Sequence, residues 1–78
     1  MKTTLPLDRL TPGMSAIIMD IEGEGPLVRR LMDLGLVPGT AIRYIRSAPL
    51  GDPLELVVRG THLSLRRSEA ARVHVEPV

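Results

Sequence analysis

"GPLVRRLMDLGLVPGT", residues 25–40, decides how the chain is read. Leu27, Leu31 and Leu34 recur at four and three residues, with Val28 and Met32 beside them. That spacing lays one apolar stripe along a helix and leaves Arg29, Arg30 and Asp33 off the stripe or on its edge. Pro26 suits a first helical position, where its missing N–H would have had no partner. Gly35 fits the left-handed residue beyond the helix, and Leu36 is placed to fold back on Leu31 as the apolar contact of a Schellman ending. The pattern predicts a helix over 26–34, followed by a turn at Pro38-Gly39.

On both sides of this segment the period is that of strands. Residues 14–21 are rich in isoleucine and end at Gly23 and Gly25, which reads as a first strand. Before it, residues 1–13 carry Pro6, Pro12 and Gly13, and are expected to form an irregular lead-in tied down by Leu7 and Leu10. After the helix, Ile42, Tyr44 and Ile45 break strict alternation within 40–47, which calls for a bulge or a strongly bent strand. Leu54, Leu56 and Val58 face one way and Glu55 and Arg59 the other; Gly60-Thr61 permits a tight reversal. Leu63 and Leu65 then point inward while His62, Ser64 and Arg66 point outward. Ser68 is expected to cap a short helical turn through Ala71, and Val73 and Val75 close the sheet. The expected fold is mainly β: five short strands in a small, strongly bent barrel with one α-helix inserted after the first strand. Closure is favoured in so short a chain because it removes unpaired edges.

Composition narrows the function. A chain of 78 residues is one domain, 1–78, with a marginal core. It has no cysteine, so neither disulfides nor thiolate metal sites support it, and its one aromatic is Tyr44. Packing rests on Leu, Val, Ile and Met, and a deep substrate cavity would hollow out such a core, which argues against an enzyme with an enclosed pocket. The net charge of +1 lacks the basic bias of a nucleic-acid binder. No apolar run approaches the roughly twenty residues of a membrane span, nor is there a secretory core at the amino terminus, so a cytoplasmic location is expected.

The loop "APLGDP", residues 48–53, invites a phosphate-cradle reading that fails on chemistry. A phosphate loop needs a lysine followed by serine or threonine after its glycines, and a dinucleotide fingerprint needs several glycines between a strand and a helix. The residues read instead as a rigid connection: Pro49 presets φ, Gly51 accepts a positive φ, and Asp52 before Pro53 is held extended. Such a loop can also present Leu50 to a partner with little loss of ordering entropy. His62 and His74 stand in outward strand positions without HxH, HxxxH or HxxE spacing, so no metal site and no cofactor is expected. Neither Ser64 nor Ser68 has an identifiable His and carboxylate arrangement, and Asp52 and Glu55 read as ordinary surface charges, so no catalytic residue is assigned.

Three stretches carry a resemblance: "LMDLGLVPGT" at 31–40, "APLGDP" at 48–53 and "LSLRRSEA" at 63–70. In this order and spacing the chain resembles, over nearly its whole length, the FeoA family of small proteins associated with bacterial ferrous iron uptake. The related domain appended to DtxR-like regulators is a second origin, but the chain has no room for a winged-helix DNA reader. The resemblance implies an SH3-like barrel with a helical insertion, and a partner, the membrane transporter FeoB with its cytosolic GTPase domain. On this reading the chain is a non-enzymatic accessory protein that touches the membrane only through FeoB, while self-association stays open. The helix 26–34 and the loop 48–53 are the expected docking surfaces, with Arg29, Arg30, Leu50 and Asp52 as candidate partner-binding residues. Two alternatives carry different signatures. One is a GTPase-activating role in which Arg29, Arg30, Arg66 or Arg67 enters the FeoB site as an arginine finger, against surface pairing with Glu69 or Asp33. The other is a small nucleic-acid-binding barrel using Arg59, Arg66, Arg67 and Arg72, which lacks the stacking aromatics that such barrels need.

Overall fold

The computed structural model describes residues 3–78. Six strands run in the order β1 (Leu5–Pro6), β2 (Ser15–Ile21), β3 (Ala41–Ser47), β4 (Leu54–Val58), β5 (Thr61–Leu65) and β6 (Val73–Pro77). Helix α1 (Pro26–Asp33) lies between β2 and β3, α2 (Arg67–Ala70) lies between β5 and β6, and single 3-10 turns occupy Leu7–Arg9 and Pro49–Gly51. All pairings are antiparallel, in the spatial order β1-β6-β2-β3-β4-β5.

The fold is mainly β with an inserted helix, as expected, but two details of the expected barrel are corrected. There are six strands rather than five, because Leu5 and Pro6 pair with Val75 and His74. Pro6 cannot donate to a ladder, and the sheet accommodates it by placing β1 at an edge. The sheet is also open by hydrogen bonding: β1 and β5 are its two ends and do not pair. Helix α2 and the 3-10 turn at Leu7–Arg9 pack together across that gap. Arg67 in α2 donates from Nη1 to the Asp8 carbonyl at 3.0 Å, so a side chain joins segments that strands would join in a closed barrel.

Bulges bend the sheet. In β3 the pairing steps from Tyr44↔Leu56 to Arg46↔Glu55, which leaves Ile45 over, as the broken alternation predicts. A second bulge at Met19 has no such sequence signal: pairing steps from Ile18↔Val75 to Asp20↔His74. It shifts the phase of β2 so that Ile18 and Ile21, three apart, both enter the core. The core is wholly apolar, built from leucine, isoleucine, valine and alanine with Tyr44, and no polar or charged residue is buried among the described residues.

Helix α1 ends as its sequence dictates. The Gly35 N–H donates to Met32 O at 2.9 Å and the Leu36 N–H to Leu31 O at 3.1 Å, the two bonds of a Schellman ending, with Gly35 at φ 102°. Leu31 and Leu36 are both fully buried. Leu34 departs from the expected stripe: it is the C-cap, at φ −77°, ψ −5°, and 42% exposed. A stripe drawn at helical spacing through a terminal residue overstates its burial, since the chain turns away there. The short helix near Ser68 is also corrected. It begins two residues earlier, with Arg66 rather than Ser68 at the N-cap; the Glu69 carboxylate accepts from the Arg66 N–H at 3.0 Å and Asp52 accepts from the Arg67 N–H at 3.0 Å. Asp52, fifteen residues away, takes over the cap expected of Ser68.

The β4–β5 reversal uses Arg59 and Gly60, both at positive φ (52° and 77°), as a mirror-image hairpin turn requires. Glycine tolerates this and asparagine nearly so, whereas arginine is strained by Cβ crowding. Arg59→Asn is expected to raise stability by about 0.5 kcal/mol, seen as a higher urea midpoint at unchanged slope.

Candidate functional site

Loop 48–53 is folded by its own backbone. The Gly51 N–H donates to Ala48 O at 2.8 Å, and the Ala48 N–H donates to Pro53 O at 2.9 Å. Gly51 takes φ 86°, Asp52 is extended at φ −154°, ψ 134°, and the Asp52–Pro53 peptide is cis. Leu50 was not expected to deviate, yet it adopts φ 75°, ψ 3°, the left-handed region. Its side chain is 105% exposed, as open to water as in an extended peptide. A left-handed leucine costs on the order of 1–2 kcal/mol, and nothing in the core repays it.

Arg67 anchors this loop from α2. Its Nε donates to Gly51 O at 3.0 Å, its Nη1 to Asp8 O at 3.0 Å, and its backbone N–H to Asp52 Oδ1 at 3.0 Å. One partly buried residue thus binds the loop on both sides of the Gly51–Asp52 peptide and ties it to the amino-terminal turn. The fork of a guanidinium, with five donors in one plane, suits two carbonyls approaching from different segments.

Beside the loop lies an open groove of about 400 Å³ lined by Arg30, Asp52, Pro53, Ser64, Arg66 and Glu69. Arg30 reaches across from α1 to pair with Glu69 at 2.6 Å. Arg30 and Asp52, assigned separately from sequence, therefore line one depression between α1, α2 and the loop, and Leu50 stands two residues from Asp52. Arg29 is exposed on α1 and does not line this groove. A second open groove, of about 340 Å³, runs along the β5 edge past Ile45, Arg46, Glu55, His62 and Leu63. There Glu55 accepts from Arg46 Nε, and that hydrogen bond, with the attraction of the carboxylate, holds the exposed guanidinium above its ordinary pKa.

The remaining candidates are dispersed. His62 is exposed on β5, and His74 on β6 lies 3.1 Å from the Glu22 carboxylate. Among the described residues no group of three or more His, Cys, Asp or Glu side chains converges on a point. Tyr44 is only 3% exposed, so it offers no stacking surface. Of the four arginines weighed as fingers, Arg67 is engaged by the loop and Arg30 by Glu69, while Arg29 and Arg66 remain exposed. Among the described residues no helix is long and apolar enough to cross a membrane. The sequence named Arg67 only as a candidate finger or phosphate-tracking arginine and did not reveal its anchoring role. A contact between residues 59 apart leaves no periodicity to read.

Comparison with known proteins gives this arrangement a context. The chain is 37% identical over 70 residues, 90% of its length, to the Fe(2+) transport protein A/Fe(2+) transporter FeoB fusion protein of Porphyromonas gingivalis. It spans only 8% of that relative's length. The solution structure of a FeoA-like protein from Clostridium acetobutylicum superposes with a TM-score of 0.92 at 37% identity, covering all of this chain and 91% of that one. Stenotrophomonas maltophilia FeoA, crystallised with zinc and described as a prokaryotic SH3 domain protein, superposes with a TM-score of 0.79 at 35% identity over 94% of this chain and 88% of that one. The FeoA domain family model matches residues 5–77, essentially the whole of the described fold, and the chain belongs to that family.

Proposed function

We propose that this protein is a non-enzymatic cytoplasmic accessory factor of ferrous iron uptake that docks on the cytosolic part of FeoB. The observation that carries the reading is the relative in which a FeoA-like segment and FeoB form one chain, since fusion is an economical way to keep two partners at high effective concentration. The docking surface is the groove between α1, α2 and loop 48–53, with Leu50 as an apolar anchor and Arg30 and Asp52 as its polar flank. Arg29, on the exposed side of α1, extends that surface. A wholly apolar core and open grooves suit recognition better than chemistry, which needs an enclosed, desolvated centre.

The test is saturable binding of the full chain to the cognate full-length FeoB in nanodiscs. A dissociation constant in the micromolar range is expected, and no saturation by about 100 μM overturns the proposal. GTP hydrolysis by the same FeoB separates assembly from activation. Assembly alone leaves turnover unchanged, whereas an arginine finger raises it by orders of magnitude and loses that effect on Arg29→Ala or Arg66→Ala. Ferrous iron is cargo of the transporter in this reading. Anaerobic calorimetry is expected to show no tight Fe(II) site on the chain; one equivalent lost on His62→Ala or His74→Ala contradicts that.

A further inference from the structure

The strained leucine and the anchored loop belong together. Leu50 holds a backbone conformation unfavourable to its side chain, exposes that side chain completely, and contributes nothing to the core. An isolated exposed loop in this state would relax toward negative φ. Relaxation is opposed by the turn's own Gly51 N–H to Ala48 O bond and, one and two residues beyond Leu50, by two bonds from Arg67: its Nε to Gly51 O and its backbone N–H to Asp52 Oδ1. The same guanidinium is fixed from behind by Asp8 O, in the segment that packs against α2 across the open seam of the sheet. Three parts of the chain, at residues 8, 51–52 and 67, are thus tied through one residue, whose side chain holds Gly51 O and Asp8 O and whose backbone N–H holds Asp52.

We propose that Arg67 is a positioning residue for partner binding: it holds Leu50 outward in its left-handed conformation and so preorganises the apolar anchor of the docking loop. The proposal rests on the docking reading above. Preorganisation matters here because a loop that had to be ordered on binding would forfeit part of the contact energy. It also assigns the open seam a role, because the gap between β1 and β5 is where a side chain from α2 can reach both the amino-terminal turn and the loop. Lysine at position 67 keeps the charge but is a single point donor, unable to span both carbonyls as the planar fork does.

The experiment has two readouts on the full chain. The first is the Leu50 backbone, followed by its amide and Cα shifts and HN–Hα coupling in the free protein. Arg67→Lys, the variant chosen to stay folded, is expected to move Leu50 toward averaged, negative-φ values while core amides of Ile18 and Leu56 stay in place. Unmoved Leu50 signals in both Arg67→Lys and Arg67→Ala overturn the proposal. The second readout is affinity for full-length FeoB in nanodiscs, in a double-mutant cycle. Arg67→Ala and Leu50→Ala are each expected to weaken binding about tenfold, and the double variant no more than either alone, because Arg67 acts through Leu50. Independent, multiplying losses overturn it, as does an Ile18→Val control of reduced stability that loses affinity equally. If the unaltered chain fails to bind FeoB while Arg67→Lys still displaces Leu50, the docking reading falls and takes with it the partner-binding half of the proposal, whereas the positioning of Leu50 stands.

Discussion

Leu31→Ala is expected to cost about 3 kcal/mol, within the range for deleting a fully buried leucine and leaving a cavity. Leu31 is the one fully buried residue of α1, and Leu27 and Val28 only partly cover the core. The helix is therefore held to the sheet chiefly through this side chain and the Leu36 that follows the Schellman ending. A domain of this length has roughly 4–12 kcal/mol of stability in total, so the loss removes a large fraction of it. Urea unfolding followed by far-ultraviolet circular dichroism measures the effect. A loss below about 1 kcal/mol would mean that α1 is held by other contacts, contrary to the packing described.

Leu50→Asp is expected to do the reverse: leave the fold intact and abolish most of the binding. The side chain is fully exposed, so its replacement removes no core contact, and aspartate tolerates positive φ better than leucine. Stability is expected to change by less than about 0.5 kcal/mol. Affinity for FeoB is expected to fall about 30-fold, equivalent to the ~2 kcal/mol of a central apolar anchor. A strained, exposed leucine has no benefit within the folded chain, and under the proposed docking a partner gives it one. Unaltered affinity in Leu50→Asp would remove the loop from the docking surface and leave α1 and its arginines.

Helix α1 was legible in the sequence because every signal agreed: Pro26 at its start, leucines at helical spacing, and Gly35 before an apolar residue. The Ile45 bulge was legible because three apolar residues could not all alternate. Strand β1 was not, because two residues are too few for a period and Pro6 argues against a strand until its edge position is known. The Met19 bulge was hidden because it closes the continuous apolar run Ala16-Ile17-Ile18-Met19, where either phase looks acceptable. At the site, the exposure of Leu50 and the rigidity of its loop followed from Pro49 and Gly51. Its left-handed backbone did not, since leucine is seldom chosen for positive φ. The cap supplied by Asp52 and the anchor supplied by Arg67 join residues distant along the chain, and only the folded topology brings them together.

The most direct test of the central claim follows the ¹⁵N-labelled chain as cognate full-length FeoB in nanodiscs is added, with and without a non-hydrolysable GTP analogue. Saturable broadening or shifts confined to residues 26–34 and 48–53 are the predicted result. Saturable changes along the β5 edge instead, at Thr61–Leu65, or no changes at all, would contradict it.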